Sequence, residues 1–540
     1  MNYKYWFKTR FKTLGAGLLT GLAASILMTF VLLLLRYFFG IATPYELVGD
    51  RIAPLLGIDK FFELLGRFGG YNQLKQIGVM SVVGGQFVVG AVGGLLYASI
   101  VERTHTKQPK PARRGPGFFI AIFIGLLWLA SLILLWPVLG TNYAGLPPVK
   151  GTLANAFALL AAYVLYGLSL MLLYRMMFAR MMFARMVFAR EESKEPGLER
   201  EPAGRRALLV AGVGTVFALA VGGILKRFSR LAVFSYDGLQ YKGADVQAIT
   251  PNDRFYVVTK NVVDPDVARS IWRLDINGLV EQPQIYRFED LIMMPSSTQE
   301  TTLRCISNQV GDGLMSNAIW KGVPMRALIE AANPKQGVVE VRLHAVDNYT
   351  DTFAIEKAME PTTLVAYEMN EEVIPQRHGF PVRVIVPGLF GEKNVKWVTR
   401  IELVDHDAKG FYEQQGWGPN FVVPTIARFD VPIDKQKIKL AIAAAGFALK
   451  GVAHAGNRGI SRVEVSLDDG QTWNEAKIDY AQSPLAWILW SYDWRPIQVG
   501  EYKLAVRATD GKGELQTARV RGTAPEGATG YHKITAQIVT

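Results

Sequence analysis

Thr301-Thr302-Leu303-Arg304-Cys305-Ile306-Ser307-Asn308-Gln309-Val310 contains the one cysteine in a chain of 540 residues. A single thiol cannot close an internal disulfide, so its value lies in packing or in chemistry. Packing is the ordinary reading of an isolated cysteine, which behaves as a small buried hydrophobe. The neighbouring sequence argues for chemistry. The run is extended in character, and it is followed by Ser316-Asn317-Ala318-Ile319-Trp320-Lys321-Gly322-Val323-Pro324.

Three further blocks follow in order: Leu364-Val365-Ala366-Tyr367-Glu368-Met369-Asn370, then His378-Gly379-Phe380-Pro381-Val382-Arg383, then Gly388-Leu389-Phe390-Gly391 with Asn394-Val395-Lys396-Trp397. Together with the cysteine run they resemble the molybdenum-ligand and pterin-binding segments of the sulfite oxidase family. The resemblance spans about residues 250–540. It extends to Ser461-Arg462-Val463-Glu464-Val465-Ser466-Leu467-Asp468-Asp469-Gly470-Gln471-Thr472-Trp473, which is similar to that family's dimerisation domain.

The resemblance implies a molybdenum–pyranopterin cofactor with Cys305 as metal ligand and Trp320 beside the substrate. It assigns the cofactor's contacts to Lys260, Asn261, Asp347, His378, Arg383, Asn394, Val395 and Lys396. Physical chemistry says why these types suit the task. A thiolate is a soft, electron-rich ligand for a highly charged metal. Arg383 and Lys396 supply cationic donors for a phosphate, and Arg383 can do so bidentately. His378 offers a ring nitrogen, and Asp347 accepts from amino and ring N–H groups. Taken singly, Arg383 and Lys396 read as surface charges, Asp347 and His378 as turn residues, and Trp320 as core. Their joint occurrence carries the cofactor reading.

Three positions depart from sulfite oxidases proper. The arginine five residues after the metal cysteine is Val310 here, Ala408 stands where a tyrosine precedes Lys409-Gly410-Phe411, and Pro525-Glu526-Gly527 matches no further substrate arginine. An anion pocket that loses a cation loses several kcal/mol when the hydrogen bonds go unreplaced. Arg304 and Arg428 are the candidates to compensate. The departures also admit a reductase of sulfoxides, including methionine sulfoxide. A cofactor-free binding or sensor module on the same fold is the rival from another class.

The net charge of +12 is unevenly spread: residues 1–230 hold 26 Lys+Arg against 10 Asp+Glu, and the remainder 33 against 37. The basic excess thus belongs to an apolar half, which argues against nucleic acid as a partner. Five apolar stretches, near 14–40, 76–101, 117–140, 152–174 and 207–225, reach the roughly 20 residues that a bilayer core requires. Glycines such as Gly90, Gly93 and Gly94 allow close helix packing. The N-terminal tail and loops 102–116 and 175–206 hold 17 Lys+Arg, and loops 41–75 and 141–151 hold 5. The positive-inside rule then puts the N-terminus in the cytoplasm and everything after about residue 226 outside it. Gly204-Arg205-Arg206-Ala207-Leu208-Leu209 looks like an internal twin-arginine export signal, or is simply two more cytoplasmic arginines.

Residues 175–190 repeat Arg-Met-Met-Phe-Ala with small changes. This reads as a helix running on into the cytoplasmic headgroups, where its arginines meet anionic lipid. Glu191–Glu201 reads as a solvated linker. Beyond 231, strands are expected at Phe255–Lys260, Val338–Val346, Val382–Val386 and Trp397–Val404, with helices near 323–332 and 354–359. Ala448–Ala455, Gly459–Asp468, Trp487–Trp494 and Glu501–Thr509 are expected as closely spaced strands.

The expected organisation is a five-span membrane region over 1–230, an α+β molybdopterin domain over 231–425, and an immunoglobulin-like β-sandwich over 426–540. The expected protein is an oxidoreductase in a prokaryotic cell membrane, multi-pass, with its catalytic domains on the extracytoplasmic side, moving an oxygen atom to or from a small sulfur or oxyanion substrate. No Cys-x-x-Cys-His occurs, and no histidine falls within a span, so no haem is expected. A separate cytochrome or quinone-linked protein would exchange the electrons, and the sandwich suggests a homodimer.

Overall fold

The computed structural model describes residues 3–106, 115–191 and 232–540. The chain divides into two compact units. The first is made of residues 1–51, 69–142 and 148–235; the second takes 52–68, 143–147 and 236–540.

In the first unit four helices are long and apolar enough to cross a membrane. They are α1 (Tyr3–Phe39), α4 (Tyr71–Thr106), α5 (Pro116–Leu135) and α6 (Pro148–Glu191). The expected fifth span, 207–225, and the paired Arg205-Arg206 lie outside the described residues. The helix does continue through the Arg-Met-Met-Phe-Ala repeat to Glu191. Glycines bring α1 and α4 together: a Cβ at Gly21 or Gly94 would run into the backbone of the other helix. Gly84 and Gly85 meet nothing, so only part of the glycine pattern serves packing. At one end of this bundle Arg36 Nε donates to Glu46 Oε1 at 2.8 Å, and the pair is almost wholly buried. Glu46 also accepts from the Thr43 backbone N–H and hydroxyl at 2.8 and 2.7 Å. Asn155 ties the adjoining turns, accepting from Ala42 and donating to the carbonyls of Leu139 and Thr141. Buried polar groups that are fully satisfied in this way specify one arrangement of the chain.

The segment between α1 and α4, expected as a loop, forms two helices, α2 (Pro44–Ile52) and α3 (Ile58–Phe68). Apolar Ile58, Phe61, Phe62 and Leu65 recur at helical spacing, while Asp59, Lys60, Glu63 and Arg67 hold the other positions.

The second unit contains a mixed sheet ordered Gln284–Tyr286, Leu274–Gly278, Val398–Val404, Glu340–Ala345, Thr350–Ala354. Another sheet runs Ser297–Arg304, Met315–Pro324, Leu364–Met369, Glu372–Val373, with Arg383–Ile385 paired to Leu364–Met369. Short helices Phe288–Met293, Met325–Ala331 and Ile355–Ala358 pack beside them. One apolar core joins Leu274, Ile276, Leu328, Leu343, Val384, Val395, Trp397 and Ile401. The strands and helices expected near 323–332, 338–346, 354–359, 382–386 and 397–404 are present within a few residues. Phe255–Lys260 is not a strand. Its one sheet-like partner is Asp237, bridged to Val257, because its side chains are committed to the site described below.

From residue 426 two sheets share a core, one ordered Ile426–Val431, Phe447–His454, Ile488–Trp494, Lys477–Tyr480 and the other Lys437–Lys439, His532–Val539, Gly500–Asp510, Ile460–Ser466, Asn474–Glu475. Leu449, Ile488 and Trp490 meet Val463, Val506 and Ile534 across the interior, as in a sandwich.

Candidate active site

Strand Ser297–Arg304 ends one residue before Cys305, and the chain turns there. The turn is closed by local bonds: Asn308 N–H to the Cys305 carbonyl at 3.1 Å, and Leu314 N–H to Asn308 Oδ1 at 2.7 Å. Cys305 is a free, buried cysteine whose Sγ lies 3.0 Å from Ser307 Oγ. Burial, reinforced by the nearby Glu392 carboxyl, pushes its thiol up to about 11. It packs with Phe255, Tyr256, Leu303 and Trp320. A thiol held neutral by apolar surroundings gives up its proton to a strong Lewis acid, so this donor suits a metal.

Behind it lies a cluster of cationic and polar groups. Arg383 sits over the Trp320 ring, 5.0 Å from its centroid. Its two terminal nitrogens donate to the carbonyls of His378 and Asn394 at 3.0 and 2.9 Å. Its Nε is buried without a hydrogen-bond partner among the described residues. A guanidinium N–H left over in a dry site fits an anionic group such as a phosphate. Lys396 is drawn down from the usual lysine range by burial, against the opposing pull of Asp264. His378 is neutral, its pKa lowered to about 3 by burial; its Nε2 lies 2.7 Å from the Asn252 carbonyl, to which it donates. Asn261 Nδ2 donates to Asp347 Oδ2 at 2.8 Å, and Lys260 Nζ to the Asp347 carbonyl at 2.7 Å. The structure therefore joins Lys260, Asn261 and Asp347 as one group, and His378, Arg383 and Asn394 as another. Tyr256 and Asp264, which sequence reasoning passed over, stand among them: Tyr256 lies within electrostatic reach of Cys305 and Arg383, and Asp264 of Lys396 and Asp347.

Several expected contacts have a different geometry. Asn394 spends its side chain on the fold, accepting from Val386 N–H and donating to the Phe390 carbonyl. Val395 is core, so its backbone is what faces Val384. Trp320 is fully buried and donates to the Thr301 carbonyl at 3.2 Å, within the same core as the thiol. Arg304 and Arg428, the candidates to compensate for the missing cations, are largely engaged, with only the Arg304 Nε left without a hydrogen-bond partner among the described residues. Arg304 donates to the carbonyls of Pro424 and Ala528, and Arg428 to Asp430, Asp312 and Tyr241. Each is bent away by backbone acceptors, a direction no sequence pattern discloses.

Next to Cys305 in the chain, Ile306 joins a largely aromatic cluster. Ile306, Phe390, Trp417, Phe421 and Val423 form one cluster, with Tyr412 packed against it. Phe411 carries Lys260 Nζ 5.7 Å from its centroid, and Tyr349, Phe411 and Tyr412 are mutual ring neighbours. Lys393, buried between Asp351 at 2.7 Å and Glu413 at 3.3 Å, fastens this loop to the sheet. Burial opposes the charge on Lys393, yet Asp351 and Glu413 hold its pKa above the ordinary lysine value.

Residues 261–412 match the oxidoreductase molybdopterin binding domain, and 424–536 the Mo-co oxidoreductase dimerisation domain. Among curated proteins, nitrate reductase [NADH] of Solanum lycopersicum is 27% identical over 322 residues, and nitrate reductase [NADH] 1 of Arabidopsis thaliana 28% over 325. Each alignment takes in 48% of this chain and 35% of the relative, so the chain spans about a third of the length of these relatives. Among solved structures, the sulfane dehydrogenase SoxCD of Paracoccus pantotrophus superposes with a TM-score of 0.47 at 23% identity, covering 55% of this chain and 85% of that one.

Proposed function

From a chain that belongs, through residues 261–412 and 424–536, to the molybdopterin oxidoreductases of the sulfite oxidase family, we propose an enzyme that transfers an oxygen atom to or from a small substrate outside the cytoplasm. The observation that carries this reading is Cys305, a buried thiol that shares its core with Trp320, over whose ring Arg383 sits, and whose neighbour Ile306 belongs to an aromatic cluster. Cys305 would ligate molybdenum. Arg383, Lys396 and His378 would hold the phosphate and pterin, with Lys260, Asn261 and Asp347 at the near side. When bound, the group supplies two-electron oxygen-atom exchange. The chain's own part is to bind, to orient and to exclude water, and a separate redox protein exchanges the electrons.

The substrate reading follows from charge. Arg428 is spent on Asp430 and on backbone carbonyls, Arg304 gives its terminal nitrogens to the carbonyls of Pro424 and Ala528, and Lys393, 3.8 Å from the Phe421 centroid, is already paired with Asp351 and Glu413. Nitrate, named for the curated relatives, and sulfite are anions that such a site holds weakly. A neutral S-oxide suits it better, because aromatic surface rewards apolar substituents.

Location follows from the apolar stretches and the basic residues. A fifth crossing by 207–225, added to the four apolar helices, would put residue 236 across the membrane from the N-terminus. With the N-terminus cytoplasmic by the positive-inside rule, the catalytic unit is extracytoplasmic. The sandwich is the surface offered for a homodimer.

Metal analysis of purified protein tests the proposal. We expect about one molybdenum per chain in the parent and none in Cys305→Ala, with S-oxide reduction by a reduced dye exceeding that of nitrate. Metal-free protein from a host that makes the cofactor would overturn it in favour of a binding module.

A further inference from the structure

Helix α3 lies between two membrane spans in sequence, yet it belongs to the catalytic unit. Its Ile58, Phe61 and Phe62 pack on the cluster of Ile306, Phe390, Trp417 and Phe421. Phe62 meets Trp417 with ring centroids 5.7 Å apart, and Trp417 meets Tyr412 at 6.3 Å. Tyr412 is in turn a neighbour of Tyr349 and Phe411, the ring next to Lys260. Gly416, in the left-handed region at φ 99°, brings the backbone up to Ile58, where a Cβ would stand 3.5 Å from Ile58 Cγ2. Ile306, which follows Cys305 directly, belongs to the same cluster on which α3 packs.

We propose that α3 is a wall of the substrate approach, and that Phe62, acting through Trp417, determines how bulky a substrate can reach Cys305. This rests on the oxygen-transfer reading for the identity of the substrate, though not for the wall itself. Phe62 is a positioning residue: it shapes the approach by holding the Trp417 ring. An aromatic-to-alanine change there opens space that a larger apolar substituent can fill, and pocket contacts of this size discriminate by about ten-fold or more.

Because Cys305 is the sole thiol, the wall can be probed without turnover. Full-length protein from a cofactor-deficient host would be treated in detergent with a small maleimide and a bulky aromatic one, and the ratio of the two labelling rates compared between the parent and Phe62→Ala. We expect the bulky reagent to gain about ten-fold relative to the small one. Phe62→Leu, which keeps an apolar filler, should lie between. In cofactor-loaded protein the same change should lower KM for bulky S-oxides relative to dimethyl sulfoxide, with molybdenum content unchanged. An unchanged labelling ratio in both variants would overturn the wall. Absent molybdenum with a changed ratio would overturn the enzyme reading and leave the wall standing.

Discussion

At the scale of single residues, Cys305 and Arg383 do different work and predict different failures. Cys305→Ala removes the proposed metal donor while leaving a side chain of similar size, so the stability cost should stay within about 1–2 kcal/mol. Its unfolding midpoint should be close to the parent's and its molybdenum content near zero; full metal loading would remove Cys305 as ligand. Arg383→Lys keeps a positive charge and loses the planar fork that reaches His378 and Asn394 while presenting Nε. Cofactor retention through gel filtration should fall by about ten-fold or more. Gly311 has φ 88°, and a Cβ there would strike the His532 ring, so Gly311→Ala should destabilise the turn after Cys305 by about 1–3 kcal/mol. Unchanged thermal unfolding would refute that. The sequence singles out the lone thiol, and the structure buries it in one core with Tyr256 and Trp320. The roles of Arg304 and Arg428 were not legible, since their worth depends on which carbonyls happen to lie within reach.

Elements show the same division. Strands with a buried face, such as Glu340–Ala345 and Val398–Val404, announce themselves by alternation, and the structure holds them in one core. Phe255–Lys260 has strand-like composition and no ladder, because Tyr256, Lys260 and Asn261 are drawn to Cys305 and Asp347 by tertiary contacts. Composition reports propensity, and partners decide. Helix α3 is the opposite case: its i, i+3, i+4, i+7 apolar spacing was present, and a span-to-span connection is not where a packed amphipathic helix is sought. Within the loop 408–421, Lys393 is the fastening. Lys393→Met leaves Asp351 and Glu413 buried without a cation, which should cost about 3–5 kcal/mol in the catalytic unit's stability. Chemical denaturation of the variant would check this, and a loss below about 1 kcal/mol would show that the acids protonate at little cost.

For the whole molecule, acid should act chiefly on the second unit. Burial lowers the pKa of His454 to about 3 and of His532 to about 4, from an ordinary 6.5. The folded state therefore refuses protons that the unfolded chain accepts below pH 6.5. These histidines leave stability intact above that pH and erode it as the pH falls from 6.5 towards 4, at up to about 1.4 kcal/mol per pH unit for each. Unfolding midpoints measured from pH 7.5 to 4.5 should decline, and His454→Asn should flatten the slope. An identical slope would show that other groups govern the acid response. The division into an apolar helical half and a β-rich half was plain from hydropathy and turn patterning. The union of inter-span segments with the catalytic unit was not, since it depends on contacts hundreds of residues apart.

That union has a consequence for how the protein is made. Residues 52–68 emerge from the ribosome long before Trp417, so α3 can form between α1 and α4 while the oxidoreductase sequence is still untranslated. The catalytic unit then matures against a surface already waiting for it. Pairing Phe62 with Trp417 closes a chain loop of very high sequence separation, a slow event for a free polypeptide, and a pre-placed α3 turns it into docking on a tethered template. Cloned without its first 75 residues, the enzymatic half would have to complete its fold with that template missing.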